Sequence, residues 1–200
     1  MRQTLIILIL VLSLSAYASG QIVINSPVET AGQLIERIKP DSLNLAHQII
    51  ETTVWTKEKT IIAFLGYDMP DPNIGFNKIT GYILFPLGDN KYNQITLESI
   101  EEDAGLPEIL ALFFANIDSD SEKELGVLCK FWQHSYEHMG NQYETFFFDN
   151  PNRNNQLIEY NREISRKFSG CDCDYRESKS TKAKFKTVVD IKNELRRLGY

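Results

Sequence analysis

The chain lacks the compositional extremes of non-globular proteins. Its 200 residues include only three cysteines, seven prolines and eleven glycines. Those counts exclude a disulfide-dense scaffold, a collagen-like chain and a disordered chain. Internal repeats, low-complexity tracts and interior linkers are also missing from the sequence. Because 42% of the residues are hydrophobic and 24% are charged, the composition predicts one globular domain that can build its own core.

Motifs of familiar enzyme classes are missing as well. The sequence has no Gly-x-Ser-x-Gly elbow, no glycine-rich phosphate loop and no His-Glu-x-x-His stretch. These motifs mark many hydrolases, nucleotide-binding proteins and metalloproteases. The sequence therefore assigns no catalytic residue, and we expect a non-enzymatic protein.

No apolar run is long enough for a membrane span. The run Leu5–Leu14 covers about ten residues, whereas a span needs about twenty. Arg2 precedes this run and Ala16-Tyr17-Ala18 follows it, which is the pattern of a secretory signal peptide with a small-x-small cleavage site. We expect cleavage to remove residues 1–18 and residues 19–200 to form a single domain. The mature protein is then predicted to be secreted or periplasmic, with no transmembrane anchor after cleavage.

Acidic and basic residues are unevenly distributed along the chain. Residues 19–152 carry 8 basic and 20 acidic side chains, whereas residues 153–200 carry 12 basic and 7 acidic ones. Two interpretations remain open: the basic segment packs against the acidic domain and neutralises it, or it docks on an anionic envelope surface. The basic segment lacks interleaved stacking aromatics, so we expect no nucleic-acid partner.

The hydrophobic period changes twice along the chain. Positions 28–38 have helical spacing after Ser26-Pro27-Val28-Glu29, which matches a capping box. Helical spacing returns at 157–168 and 181–198 and predicts two C-terminal helices. Between the helices, β-branched and aromatic runs alternate with turn residues and predict an antiparallel meander of about five to seven strands. The candidate strands are Thr52–Trp55, Thr60–Phe64, Ile79–Phe85, Gln94–Ile100, Ile109–Ala115, Leu125–Trp132 and Tyr143–Phe148. This order favours an α+β domain with an N-terminal helix and two C-terminal helices packed on the sheet.

An acidic loop between two apolar strands carries the strongest functional signal. Oxygen-bearing side chains stand at alternate positions from 116 to 124, and calcium prefers about six to eight oxygen ligands. The candidate ligands are the side chains of Asn116, Asp118, Asp120 and Glu124, with Glu122 contributing its carbonyl. Neither Asn116 nor Asp118 has a glutamate at the twelfth position, so the segment is not an EF-hand. The alternative is a solvated hairpin connection without an ion.

The loop resembles the calcium loop of FG-GAP or VCBS-type repeats, which form the blades of integrin-like propellers. That motif has acidic or amide residues at loop positions one, three, five and nine, followed by an apolar strand. The resemblance implies that Asn116, Asp118, Asp120 and Glu124 bind calcium. The chain departs from the motif at position six, where Ser121 replaces the usual glycine, and at position nine, where glutamate replaces aspartate. Because only one copy is present, the resemblance implies the loop and not a propeller.

Three cysteines in an exported chain are most simply one disulfide and one free thiol. The sequence leaves a Cys171–Cys173 bridge, or a bridge from either of them to Cys129, open. Cys129 is in phase with apolar strand positions, so we expect its side chain to lie in the core.

Aromatic residues near one predicted turn suggest a contact surface. Trp132, Tyr136 and Tyr143 are candidates for stacking on a sugar or for contacting a protein, so we expect a protein or glycan partner in the cell envelope or outside it. The alternative function is a hydrolase of envelope polymers that uses surface carboxylates near Glu101 and Asp103. That alternative requires the carboxylates to converge with His134 or Tyr136 in one pocket.

Overall fold

A computed structural model describes residues 21–68, 76–101, 105–118, 120–177 and 179–200. The strands in these ranges are β1 Gln21–Ile24, β2 Asn44–Leu45, β3 Ile50–Thr52, β4 Thr60–Asp68, β5 Phe76–Gly88, β6 Lys91–Leu97, β7 Gly105–Ala115, β8 Glu124–His134, β9 His138–Phe148, β10 Leu157–Ile158 and β11 Gly170–Tyr175. The helices are α1 Ala31–Ile38, α2 Arg162–Ser165 and α3 Val188–Leu198, and a 3₁₀ turn, Arg166–Phe168, follows α2. No helix in the described ranges is both long and apolar enough to cross a membrane. The predicted signal peptide, residues 1–18, lies outside the described residues.

The strands form two sheets. Sheet A has the order β1-β6-β5-β4-β2, with β3 also paired to β4 and β10 paired in parallel to β6. Sheet B has the order β11-β9-β8-β7, and its strands are antiparallel. The α+β class, the hairpins and the mainly antiparallel pairing are therefore confirmed. The meander is divided between two sheets because strands such as β8 are apolar on both faces and need cover on both sides.

Helices cover the outer faces of the two sheets and give a four-layer arrangement. Side chains such as Ile62 and Phe85 of sheet A and Val127 and Phe131 of sheet B form the central core. Leu34 and Ile35 of α1, with others, pack on the outer face of sheet A. Residues of α2, the 3₁₀ turn and α3 cover the outer face of sheet B. Side chains of alternate residues on one strand thus point to opposite faces of the sheet, and they pack either in the central core or against the outer helices.

A bulge in β7 changes which face its side chains occupy. The register with β8 shifts between Ile109 and Ala111, so Ile109 and Leu112 both contact the central core although their separation is odd. Phe113 consequently lies on the outer face, opposite Gly126 of β8. A Cβ at Gly126 would overlap the Phe113 ring. Any larger residue at position 126 would therefore force the Phe113 ring to move.

The start of α1 differs from the sequence prediction. Thr30, rather than Ser26, is the N-cap, and Gln33 completes the capping box. The Thr30 N–H donates to Gln33 Oε1 at 2.9 Å, and the Gln33 N–H donates to Thr30 Oγ1 at 3.3 Å. The predicted helix start at Ser26 was wrong. The Glu29 carboxylate does accept the Ser26 N–H, at 3.2 Å, but the Glu29 N–H donates to the Ser26 carbonyl at 3.0 Å and closes a separate turn ahead of the helix.

The C-terminal helices are shorter than their hydrophobic periods predict. The segment 157–168 contains β10, α2 and the 3₁₀ turn, because Leu157 and Ile158 pair with Thr96 and Leu97 of β6. Helix α3 begins seven residues after Thr181, where the Thr187 side chain accepts the Asp190 N–H. At Leu157 and Ile158, strand pairing to a distant part of the chain therefore overrides the local helical pattern.

Candidate metal centre

The carboxylates of three residues meet at one end of sheet B. The β7–β8 register places Ala115 opposite Glu124, and the β8–β9 register places Leu125 opposite Phe148. Asp149 directly follows Phe148, so the same pairing brings Asp149 beside Glu124. Asp118, in the loop between β7 and β8, completes the group. One carboxylate oxygen from each of Asp118, Glu124 and Asp149 lies within 4.8 Å of the other two.

This spacing suits a shared hard cation. Two oxygens bound to one calcium ion at about 2.4 Å each can be no more than about 4.8 Å apart. The three carboxylates could therefore coordinate one ion without a large movement. The arrangement by itself identifies a candidate metal site and does not choose the metal.

Burial distinguishes this group from an ordinary acidic surface loop. Glu124 is 0% exposed, and its Oε2 atom accepts the Ile117 N–H at 2.7 Å. Its Oε1 atom is buried and has no hydrogen-bond partner among the described residues. The same is true of Oδ1 of Asp149. A buried polar atom without a partner costs free energy, and a cation bound by the two carboxylates would offset that cost.

The electrostatics of the site also favour a positive ligand. Burial raises the pKa of Glu124 to about 7, and the charges of Asp118 and Asp149 act in the same direction. Burial likewise raises the pKa of Asp149, with contributions from the charges of Asp118 and Asp120. Both shifts express the cost of placing like charges together away from water.

Side-chain bonds to the backbone organise the loop itself. Asn116 Oδ1 accepts the Asp118 N–H at 3.1 Å, and Asp118 Oδ1 accepts the Asp120 N–H at 2.8 Å. Asp120 Oδ1 then accepts the Glu122 N–H at 2.7 Å. These successive Asx turns curl the chain into a compact bend, which directs Asp118 toward Glu124.

The structure brings together only part of the predicted ligand set. Asp118 and Glu124 converge as expected. Asp120 and Glu122 are exposed and lie outside the three-carboxylate group, so their roles, and that of Asn116, remain predictions. Asp149 was not predicted, because 25 residues separate it from Glu124 and only the β8–β9 register joins them. An acidic residue directly after an apolar strand, Phe146-Phe147-Phe148-Asp149, was the available signal.

The structure selects one of the cysteine pairings left open by the sequence. The sulfurs of Cys171 and Cys173, both on β11, lie at disulfide distance, with their Cα atoms 5.2 Å apart. Residues two apart on a strand share a face, which permits this pairing. Cys129 is a buried free thiol in the central core, as expected, and burial raises its pKa well above the usual value.

The aromatic candidates lie near the β8–β9 turn. Trp132 and Tyr136 are 52% and 79% exposed, while Tyr143 is half-buried. Trp132 and Tyr143 are diagonal neighbours on the outer face of sheet B, because their strand partners are Asn141 and Lys130. Tyr136 stacks under the Arg176 guanidinium, 4.3 Å from its ring centroid. Their role in partner binding remains a prediction.

The carboxylates invoked for hydrolysis do not form an acid–base pair in the described residues. Glu101 is paired with Lys78 at 3.3 Å, and Asp103 lies outside the described residues. The cavity beside Tyr136, of about 320 Å³, is lined by Glu137, Tyr175, Arg176 and Glu177. Glu101 does not line it, so no observation in the described part of the chain favours the hydrolase alternative.

Asp172 of β11 binds two residues of the segment that follows the strand, Ala183 and Lys186. Its Oδ1 atom accepts the Ala183 N–H at 2.7 Å, and Oδ2 lies 2.8 Å from Lys186 Nζ. The Lys186 bond, followed by the Ala183 bond, lowers the pKa of Asp172. A carboxylate with a lowered pKa stabilises the fold above its ordinary pKa of about 3.9, and loses that contribution as the pH falls through its folded value.

We expect the Ala183 amide signal in NMR spectra to titrate with a midpoint below about 3.9. Asp172→Asn should abolish this titration, whereas Asp174→Asn on the same strand should preserve it. A midpoint at or above the ordinary value would contradict the described pairing.

Comparisons of the chain with protein-family models, with curated proteins and with solved structures find no match.

Proposed function

We propose that the chain is an exported, non-enzymatic binding protein in which a calcium ion orders the loop between β7 and β8. The ion would be held by Asp118, Glu124 and Asp149. The observation that carries this proposal is the full burial of Glu124, which is one of the three clustered carboxylates. Its Oε1 atom has no hydrogen-bond partner in the part of the chain that the structure describes. A solvated hairpin connection would not leave a carboxylate oxygen buried without a partner.

Ligand chemistry favours calcium among the common metal ions. The group consists of carboxylates alone, and hard oxygen ligands suit calcium or magnesium better than zinc or copper. Calcium tolerates irregular geometry and additional carbonyl or water ligands, whereas magnesium requires a near-octahedral shell. An irregular loop that contributes one side chain, beside two strand ends that contribute the others, fits the less demanding ion.

Export and partner binding rest on separate observations. The signal-peptide pattern at residues 1–18 supports export, and the Cys171–Cys173 pair at disulfide distance fits an oxidising compartment. The exposed rings of Trp132 and Tyr136 support a protein or glycan partner. The missing catalytic motifs favour binding over turnover.

Calcium titration of EDTA-treated protein tests the proposal. Extracellular-type sites bind at about 0.1–1 mM, so about 10 mM calcium should stabilise the fold by roughly 1.4–2.7 kcal/mol. We expect heat in calorimetry, a higher melting temperature, weaker binding of magnesium, and at least tenfold weaker calcium binding in Asp118→Asn.

Absence of both heat and thermal shift at about 10 mM calcium would remove the ion from the proposed function. Tight binding of zinc with no response to calcium would retain a metal site but overturn the assignment of calcium.

A further inference from the structure

Trp55 contacts both sheets and the loop of the candidate metal centre. It lies in the segment 53–59 between β3 and β4, with its ring centroid 5.7 Å from that of Phe85 in sheet A. The ring is also 5.3 Å from that of Phe114 in sheet B, in an edge-on arrangement. Its Nε1–H donates to the Lys123 carbonyl at 2.6 Å. One side chain therefore joins the segment 53–59 to the loop.

The acceptor of this hydrogen bond is directly connected to the buried ligand. The Lys123 carbonyl belongs to the planar peptide group that links Lys123 to Glu124. Its orientation is therefore tied to the position of the Glu124 backbone. A displacement of the Glu124 backbone on cation binding therefore also moves the carbonyl oxygen that Trp55 binds.

Trp55 also forms one wall of a surface cleft. The cleft has a volume of about 300 Å³ and is lined by Trp55, residues 56–58, residues 86–88 and Arg153. Arg153 follows Asp149 by four residues, and its carbonyl accepts a hydrogen bond from Asn93 Nδ2 at 2.8 Å. The Trp55 wall of the cleft is thus linked to Glu124 through the hydrogen bond to the Lys123 carbonyl. The Arg153 wall is linked to Asp149 by a short stretch of chain.

We infer that the cation regulates the segment 53–59 and its cleft through the Trp55–Lys123 hydrogen bond. This inference rests on the proposed function, because it requires the site to bind an ion. The ion would neutralise the carboxylate group, fix Glu124 and so hold the Lys123 carbonyl where Trp55 can bind it. Coupling of this kind is reciprocal, so the hydrogen bond also favours the cation-bound loop. The cleft is consequently most ordered when the cation is present.

Fluorine NMR of protein labelled with 5-fluorotryptophan measures this coupling without a substitution in the site. The chain contains two tryptophans, and the resonance missing from Trp132→Phe, a substitution at a ring that is 52% exposed, is that of Trp132 and assigns the other to Trp55. We expect calcium to shift the Trp55 resonance and to leave that of Trp132 in place, since Trp132 lies eight residues from Glu124 along β8. Amide hydrogen exchange in the segment 53–59 should slow at the same calcium concentration.

Trp55→Phe tests the reciprocal effect. The substitution retains an aromatic ring against Phe85 and Phe114 and removes the N–H donor. We expect calcium affinity to fall by about two- to tenfold, the range expected for one hydrogen bond, and calcium to no longer slow exchange in the segment 53–59. Thr52→Val removes the side-chain oxygen that accepts the Val54 N–H at 3.2 Å and should leave calcium affinity unchanged.

The outcomes separate this inference from the proposed function. Heat and a thermal shift with calcium, combined with an unmoved Trp55 resonance and unchanged exchange, would overturn the coupling and leave the proposed function intact. Absence of calcium binding would overturn both. The resonance and exchange measurements use the unsubstituted protein, so they decide the question even if Trp55→Phe does not fold.

Discussion

Glu124→Gln is expected to melt at a higher temperature than the natural protein in EDTA at about pH 8, and at a lower temperature in about 10 mM calcium. Without a cation, the natural carboxylate is buried, repelled by Asp118 and Asp149, and unpartnered at Oε1. Glutamine removes that charge but can still accept the Ile117 N–H. Its amide can also donate to a neighbouring carboxylate. We expect the free energy of unfolding in EDTA to rise by about 1–3 kcal/mol.

The same substitution should weaken calcium binding by about 100-fold or more. Substitution of a residue that only supports a metal ligand typically lowers metal affinity by about 10- to 100-fold. Glu124 would be a direct ligand, so a larger loss is expected. Asp149→Asn should show the same reversal between EDTA and calcium, because it too holds a buried unpartnered oxygen. Thermal melts and calorimetry under both conditions provide the measurement.

Glu36→Gln is the matched control, because it changes the same charge on the exposed face of α1, where Glu36 lies 3.5 Å from Lys39. Glu36→Gln should not change the calcium affinity, and its melting temperature should stay close to that of the natural protein both in EDTA and in calcium. If Glu124→Gln were less stable than the natural protein in EDTA and bound calcium equally well, Glu124 would have a structural role and no metal.

Phe147→Ala is expected to reduce the free energy of unfolding by about 3–5 kcal/mol. Phe147 is completely buried on the outer face of sheet B. Its ring is 5.9 Å from that of Phe113 on β7 and 5.5 Å from that of Phe168 in the 3₁₀ turn. The substitution removes the ring that packs between a strand and the helical layer, and the rigid surroundings cannot fully close the resulting cavity.

Chemical unfolding with urea would measure this loss. Domains of this kind are usually stable by about 5–15 kcal/mol, so the change is large enough to shift the midpoint strongly. Phe147→Leu retains much of the volume and should cost less than half as much. A loss below about 1 kcal/mol for Phe147→Ala would show that the helical layer does not depend on this contact.

Local sequence patterns predicted the strands well where turn chemistry and hydrophobic pattern agreed. The turn at Asp89 and Asn90 is an example, because both residues have positive φ values of 51° and 58°, as a two-residue type I′ hairpin requires. Gly88-Asp89-Asn90 had marked that turn in the sequence. The helix start at Ser26 was wrong because two segments have capping-box chemistry. Glu29 accepts the Ser26 N–H within a separate turn, and the helix begins at the second box, Thr30 with Gln33.

Two of the three carboxylates of the candidate site were predictable from the local sequence. Asp118 and Glu124 are six residues apart in one hairpin connection, and the alternating oxygen side chains are visible in the sequence. Asp149 and Trp55 were not predictable, because β-sheet register and the packing of one sheet on the other bring them to the loop. The cysteine pairing likewise depends on the tertiary structure, because strand β11 places Cys171 and Cys173 on one face.

The sequence by itself determined the α+β class, most of the strands, the acidic loop and the expected signal peptide, because each depends on residues close together along the chain. The tertiary structure alone decided the division into two sheets, the helical layers on their outer faces and the third carboxylate of the site. Those features depend on contacts between residues that are distant in sequence. Glu124 illustrates the difference: its residue type was visible from the start, but only the packing around it shows a buried oxygen without a partner.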